Sequence, residues 1–184
     1  MESCVYAIIL ANKEVIELLK NGRDTILLVQ PVDATVGSPG LVVAELTENS
    51  WSIENELVDE QTKMGRILAY GQNSESFEMT CYGKKGDPGQ TAVIDAIRQK
   101  KKLKVWEVDL VPNAGGKYDA VFAYCLVESV EVSSPGDNFQ EVTATLQVEG
   151  ESVEGELTTI PAEATSKQSY EFETPGETGT PTTP

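Results

Sequence analysis

Polar and apolar residues alternate along most of this chain with a period of two, the spacing of a strand that buries one face. The cleanest case is 139–149, where Val142, Ala144, Leu146 and Val148 share one side and Glu141, Thr143, Thr145, Gln147 and Glu149 the other. Trp51, Ile53, Asn55 and Leu57 alternate with Ser52, Glu54 and Glu56, with Asn55 as a polar interruption of the inner face. Phe77, Met79 and Cys81 alternate with Glu78, Thr80 and Tyr82. Further strands are predicted over 25–30, 41–46 and 103–111, the last with Trp106, Val108 and Leu110 on one face. Residues 117–133 are apolar on both sides, and such a strand needs cover on both sides. Residues 152–158 are expected to pair with 139–149 across Gly150 and Glu151.

A helical signal interrupts the strands. Asp87 is placed to cap, Pro88 fits the first helical position, and Gln90 stands where a capping-box side chain reaches back. Val93, Ile94 and Ile97 form the apolar stripe, and Lys100, Lys101 and Lys102 follow where positive charge complements the helix dipole. Residues 13–20 have weaker helical spacing, stopped by Asn21 and Gly22. The polar stretch 59–65 reads as part of a long loop. After Pro161 the composition shifts to Pro, Thr, Gly and Glu, which cannot bury enough surface to fold alone. The expected architecture is mainly β: a two-sheet sandwich over 22–160 with one flanking helix and a long inter-strand loop. An N-terminal extension (1–21) precedes it and an extended C-terminal arm (161–184) follows.

Composition narrows the chemistry. The 184 residues carry 14 Lys and Arg against 30 Asp and Glu, a net charge of −16, and no histidine. Ser-His-Asp and Cys-His catalysis, histidine-containing zinc sites and imidazole proton transfer are thereby excluded. Tight binding of a phosphate backbone is disfavoured by the sign of the charge. Cys4, Cys81 and Cys125 are too few and too scattered for a disulfide framework, and the last two sit in strand-like runs suited to buried thiols. The apolar run at 5–11 is much shorter than the roughly 20 residues of a membrane span.

The charge is also polarised. Seven of the 14 basic residues fall within 84–104, including Lys84, Lys85, Lys100, Lys101 and Lys102, whereas 137–184 holds ten acids and only Lys167. Against a plain solvated surface, this arrangement points to head-to-tail association, in which one subunit's basic patch meets another's acidic edge and the contact closes into a ring or runs on as a filament. The glycine-rich stretch GKKGDPG at 83–89 lacks P-loop spacing, and thirty dispersed acids single out no glycosidase pair. No catalytic, cofactor or metal site is assigned. Trp51 and Trp106 read as core or interface anchors.

Five segments taken in order carry a family resemblance: DEQTKMGRIL at 59–68, YGKKGDPGQTAVIDA at 82–96, KVWEVD at 104–109, KYDAVF at 117–122 and TATLQVEG at 143–150. Together they resemble the major tail tube proteins of long, flexible-tailed bacteriophages, from about Gly22 to the end; residues 1–21 have no counterpart. The resemblance implies a non-enzymatic virion component with a sandwich fold, assembled in the host cytoplasm without a membrane or cofactor. It implies hexameric rings stacked around a tape-measure protein, with tail terminator and tail tip proteins as further partners and DNA passing through the lumen without tight binding. The loop carrying Asp59, Glu60, Gln61, Thr62, Lys63 and Arg66 would reach a neighbouring ring, and the segment after Pro161 would be a contact arm.

A conduit for a polyanion is best lined with carboxylates, since a basic wall would gain affinity by releasing counterions. Outward residues of the acidic strands, Glu54, Glu56, Glu131, Glu141 and Glu149, are the candidates for that wall. Two readings stay open beside this one: a repurposed prophage or secretion-type tube subunit, and a monomeric acidic β-sandwich that binds a ligand.

Overall fold

In the computed structural model, which describes residues 20–165, the alternating segments form one antiparallel sheet. Its strands are β1 (Thr25–Pro31), β2 (Leu41–Val42), β3 (Leu46–Thr62), β4 (Gly65–Tyr82), β5 (Leu103–Asp109), β6 (Tyr118–Ser133), β7 (Glu141–Val148) and β8 (Val153–Leu157). Helix α1 (Pro88–Gln99) stands between β4 and β5, and a single turn, α2 (Ala162–Thr165), follows β8. The order across the sheet is β2-β1-β5-β6-β7-β4-β3, with β8 also on β6. The helix expected before Lys20, Cys4 and the arm beyond Thr165 lie outside the described residues. Among the described residues no helix is long and apolar enough to cross a membrane.

The two expected layers arise from one hydrogen-bonded sheet folded over on itself. Leu27 and Val29 of β1 and Leu103 and Val105 of β5 share a buried cluster with Phe77, Met79 and Cys81 of β4 and Ala144 and Leu146 of β7. Val93 and Ala96 of α1 pack into the same cluster. Burying each of its Val, Leu, Phe and Met side chains contributes about 1.5–3 kcal/mol, so this cluster is the main stabilising unit. The opposite face of the β1–β5–β6 region carries a smaller cluster of Leu28, Val108 and Ala120, with Trp106 and Tyr118 packed against it. The need of β6 for cover on both faces is thereby met over its first half.

β6 joins the two halves. One of its edges pairs with β5 from Ala120 to Cys125, and the other pairs with β8 from Tyr118 to Phe122 and with β7 from Cys125 to Ser133. β8 therefore does not form a hairpin with β7 as expected. It continues past the Gly150 corner, where φ is +87°, along the same edge of β6. The strand expected over 41–46 is likewise broken, because Glu45 takes a left-handed φ of 54° between β2 and β3.

Residues 59–65 form no loop. β3 and β4 stay paired to Thr62–Gly65, a hairpin whose outer part extends beyond β7, since β4 meets β7 only over Ser76–Tyr82. Gly65, at φ 141°, makes the tight turn that no side chain in the polar sequence advertised. Beyond the Ile53–Glu75 pair the described residues give the inner face of this hairpin little cover, and Leu57 is 54% exposed.

α1 starts as the sequence predicts, with Asp87 Oδ1 accepting from the Gln90 amide at 2.8 Å. The Gln90 side chain reaches past the cap: its Oε1 accepts from the Lys84 amide at 3.0 Å, and its Nε2 donates to the carbonyls of Ala44 and Tyr82. One buried amide thus pins the helix to the β2–β3 and β4 ends, at about 1 kcal/mol per bond. Gly89 lets the helix touch β2, for a Cβ there would fall onto the Val42 carbonyl. Gly89→Ala should therefore lower unfolding free energy by about 1–3 kcal/mol, measured by urea denaturation. Gly155→Ala, where a Cβ meets open space, should leave it within about 0.5 kcal/mol of the parent.

Candidate assembly surface

Strands β3, β4, β7 and the second half of β6 present one outward face built in register rows. Ser52, Ser76, Gln147 and Leu126 form one row, Ser50, Glu78, Thr145 and Ser129 the next, and Glu48, Thr80, Thr143 and Glu131 a third. Tyr82, Glu141 and Ser133 continue it at one end, and Glu54 faces Ser74 at the other. Glu128, in the β6 bulge, accepts from Gln147 Nε2 at 2.6 Å on this same face. No Lys or Arg occurs in these strand segments, 46–56, 72–82, 126–133 and 141–148. The surface is therefore a lattice of hydroxyls and amides carrying unpaired carboxylates.

Of the residues expected on an acidic wall, Glu54, Glu131 and Glu141 lie here together. Glu56 sits one turn of the alternation further out, at the hairpin base, opposite a β4 bulge where Gly71 makes room for its carbonyl. Glu149 lies past the end of β7 and is paired with Lys102 at 2.6 Å, so its charge is offset. Glu48, Glu78 and Glu128 belong to the face but escaped the sequence reading. Alternation from Trp51 and Phe77 would have found the first two, whereas Glu128 faces out because of a bulge between Val127 and Ser129 that no pattern shows.

The basic residues do not form one patch. Lys84 and Lys85 precede α1 and Lys100, Lys101 and Lys102 follow it, separated by its length of about 18 Å. Lys84 pairs with Glu45, Lys101 with Asp33 and Lys102 with Glu149. Lys100 closes the helix in the left-handed conformation at φ 55° and donates its amide to Ala96 and Ile97.

At the hairpin tip Arg66 grips Asp59 in a forked pair of 2.8 and 2.7 Å across the strands. The guanidinium holds the Asp59 carboxyl below its ordinary range. Thr62 Oγ1 donates to the Gly65 carbonyl and accepts from the Met64 amide, which stiffens the turn; Glu60, Gln61 and Lys63 are exposed beside it. Around this tip Met64, Ile67, Leu68 and Tyr70 are exposed apolar surface.

Three groups depart from ordinary acidity for reasons of burial. Desolvation pushes the Cys81 thiol up to about 11 and the Cys125 thiol up to about 12. Burial also raises Glu107, against the opposing help of Asn49 and Lys20, and its Oε2 has no hydrogen-bond partner. Among the described residues no cluster of acids and thiols is placed to hold a metal ion.

These features define a mainly β protein with a four-strand polar face, edges unpaired among the described residues, and a projecting hairpin. A profile of the phage tail tube protein family matches residues 19–154, and the chain belongs to that family, whose members are structural components of the virion tail. The chain is 46% identical over 159 residues to the tail tube protein of Bacillus phage SPP1, an alignment covering 85% of this chain and 60% of that protein. It is 32% identical over 125 residues to a putative tail protein of Staphylococcus phage phiMR11, covering 66% and 64%. The chain thus spans somewhat under two thirds of the length of both relatives. Its structure matches the SPP1 tail tube solved by solid-state NMR and electron microscopy with a TM-score of 0.75 and 39% identity, covering 88% of this chain and 95% of that one. The fold also matches a chain of a native gene transfer agent virion, with a TM-score of 0.58 at 13% identity over 74% of this chain and 99% of that one.

A raised carboxyl pKa in the folded state means that stability is lost as pH rises above the unfolded value. Glu107→Gln should accordingly raise the melting temperature by a few degrees at pH 7 and change it little at pH 4, read by calorimetry. In the same folded protein Cys81 and Cys125 should stay unreactive toward a thiol reagent at pH 8 and titrate only after urea unfolding.

Proposed function

We propose that this protein is the structural subunit of a phage tail tube, in which six copies form a ring and rings stack around a tape-measure protein. Terminator and tip proteins close the ends, and DNA later passes through the lumen. The observation that carries this reading is the four-strand face with no basic residue, flanked by two free edges. Among the described residues, β3 has a partner on one side only, and β6 beyond Cys125 is open on the side away from β7. An unpaired edge aggregates unless it is covered or closed, and a ring closes both edges at once.

Dimensions support the arrangement. Four strands from each of six subunits, about 4.8 Å apart, give a barrel of about 115 Å circumference, or about 37 Å in diameter before strand tilt widens it. With the acidic lattice turned inward, a polyanion feels repulsion only within about 8 Å of the wall at physiological salt. The conduit thus confines its cargo near the axis without holding it. A chain of the same fold stands in a tail described with C6 symmetry, consistent with sixfold closure. The exposed hairpin is suited to bridging one ring to the next through its apolar tip, and the segment after Pro161 to a second contact.

Negative-stain microscopy at rising protein concentration should show rings or hollow tubes; a persistent monomer would overturn the reading. Particles carrying Glu131→Lys with Glu141→Lys should assemble tubes of normal diameter yet eject DNA roughly tenfold more slowly at low salt, with the deficit shrinking as salt rises. Unchanged ejection would remove this face from the lumen.

A further inference from the structure

The β3–β4 hairpin leaves the body of the sheet at one level. β4 is paired with β7 from Ser76 onward, so Glu75 is the residue at which the hairpin loses its neighbour. Glu75 is also the one carboxylate among the described residues buried on the inner face of this hairpin, at 6% exposure. Its Oε2 accepts from Trp51 Nε1 at 3.3 Å and from the Ser152 amide at 3.3 Å. The first donor belongs to β3, one step down the strand from Ile53, the cross-strand partner of Glu75; the second lies in the corner between β7 and β8. Trp51 is itself held by stacking on Phe77, with ring centroids 6.5 Å apart.

Beyond this level, among the described residues, the side-chain hydrogen bonds of the hairpin are internal. Asn55 Nδ2 donates to the Gly71 carbonyl at 3.1 Å and to Asn73 Oδ1 at 2.5 Å, while its Oδ1 accepts from the Gly71 amide at 3.2 Å. The outer hairpin can therefore turn as one piece about its base, and a hinge of this kind takes its direction from whatever fastens it.

We propose that Glu75 is a positioning residue: a buried carboxylate latch that sets the direction of the hairpin by tying its base to the β7–β8 corner. Both bonds are at the long end of the hydrogen-bond range, which suits a fastening that yields when a neighbour pulls on the tip. The same latch couples the hairpin to the strand that leads into the C-terminal segment, because Ser152 immediately precedes β8. The consequence for assembly rests on the reading of the hairpin as a contact between rings.

The test uses the full chain in a Cys4→Ser background, with spin labels at Met64→Cys on the tip and Arg98→Cys on α1, both exposed positions. The parent should give one narrow distance distribution. Glu75→Ala should widen it at least twofold, Glu75→Gln less, and Ser152→Pro, which removes the amide that joins Glu75 to the corner, should widen it too. Amide exchange in β5 and the first half of β6 should stay unchanged in all three, which a general loss of stability would not allow. Should Glu75→Ala fail to fold, Ser152→Pro decides alone. A parental width in the variants that fold overturns the latch. A widened distribution with an unchanged rate of tube growth would uphold the latch and overturn the hairpin's role between rings.

Discussion

The structure depends on one strand that is apolar on both faces. β6 supplies Ala123 and Cys125 to the main core and Ala120 to the opposite cluster, and it pairs with β5 on one edge and with β7 and β8 on the other. Strands β5, β7 and β8 are hydrogen-bonded to it directly, β1 is reached through β5 and β4 through β7. A strand buried on both sides forces the sheet to fold over, since a single flat layer would leave one face in water. The helix is the remaining cover, and it is held where it is needed by the Gln90 side chain and by the absence of a Cβ at Gly89.

The same folding explains where charge is left over. Ion pairs are made around the perimeter: Lys84 with Glu45, Lys101 with Asp33, Lys102 with Glu149 and Lys117 with Glu156. Each is solvent-exposed and contributes little to stability. Their larger effect is on distribution, because they use up basic side chains away from the β3–β4–β7–β6 face. That face keeps its carboxylates uncompensated, and a field of one sign persists there.

Much of this was legible from spacing. Apolar runs located β1 and β6, and alternation located β5 and β7, each to within a few residues, since a strand half in water must alternate and one covered on both faces need not. Asp87 and Pro88 marked the helix start because the first turn needs an acceptor and tolerates a missing donor. The hairpin was hidden for a physical reason: its outer residues meet no core, so polarity mimicked a loop although backbone pairing and side-chain bonds within the hairpin hold them. The pairing of β8 was hidden as well, because a two-residue connection reads as a hairpin unless the partner edge is already known. Trp51 was correctly placed toward the interior, but its partner Glu75 is 24 positions away and looked like any surface acid.

Alternation, charge balance and the missing histidine determined that this is a β protein without histidine-based catalysis and with a strongly acidic composition. Those properties follow from local spacing and from counting, which need no partner. Only the tertiary structure decided which carboxylates share a face, which are neutralised, and which edges remain free. Each depends on register between strands far apart in the chain, and a bulge such as that at Val127 to Ser129 resets the facing of every residue beyond it.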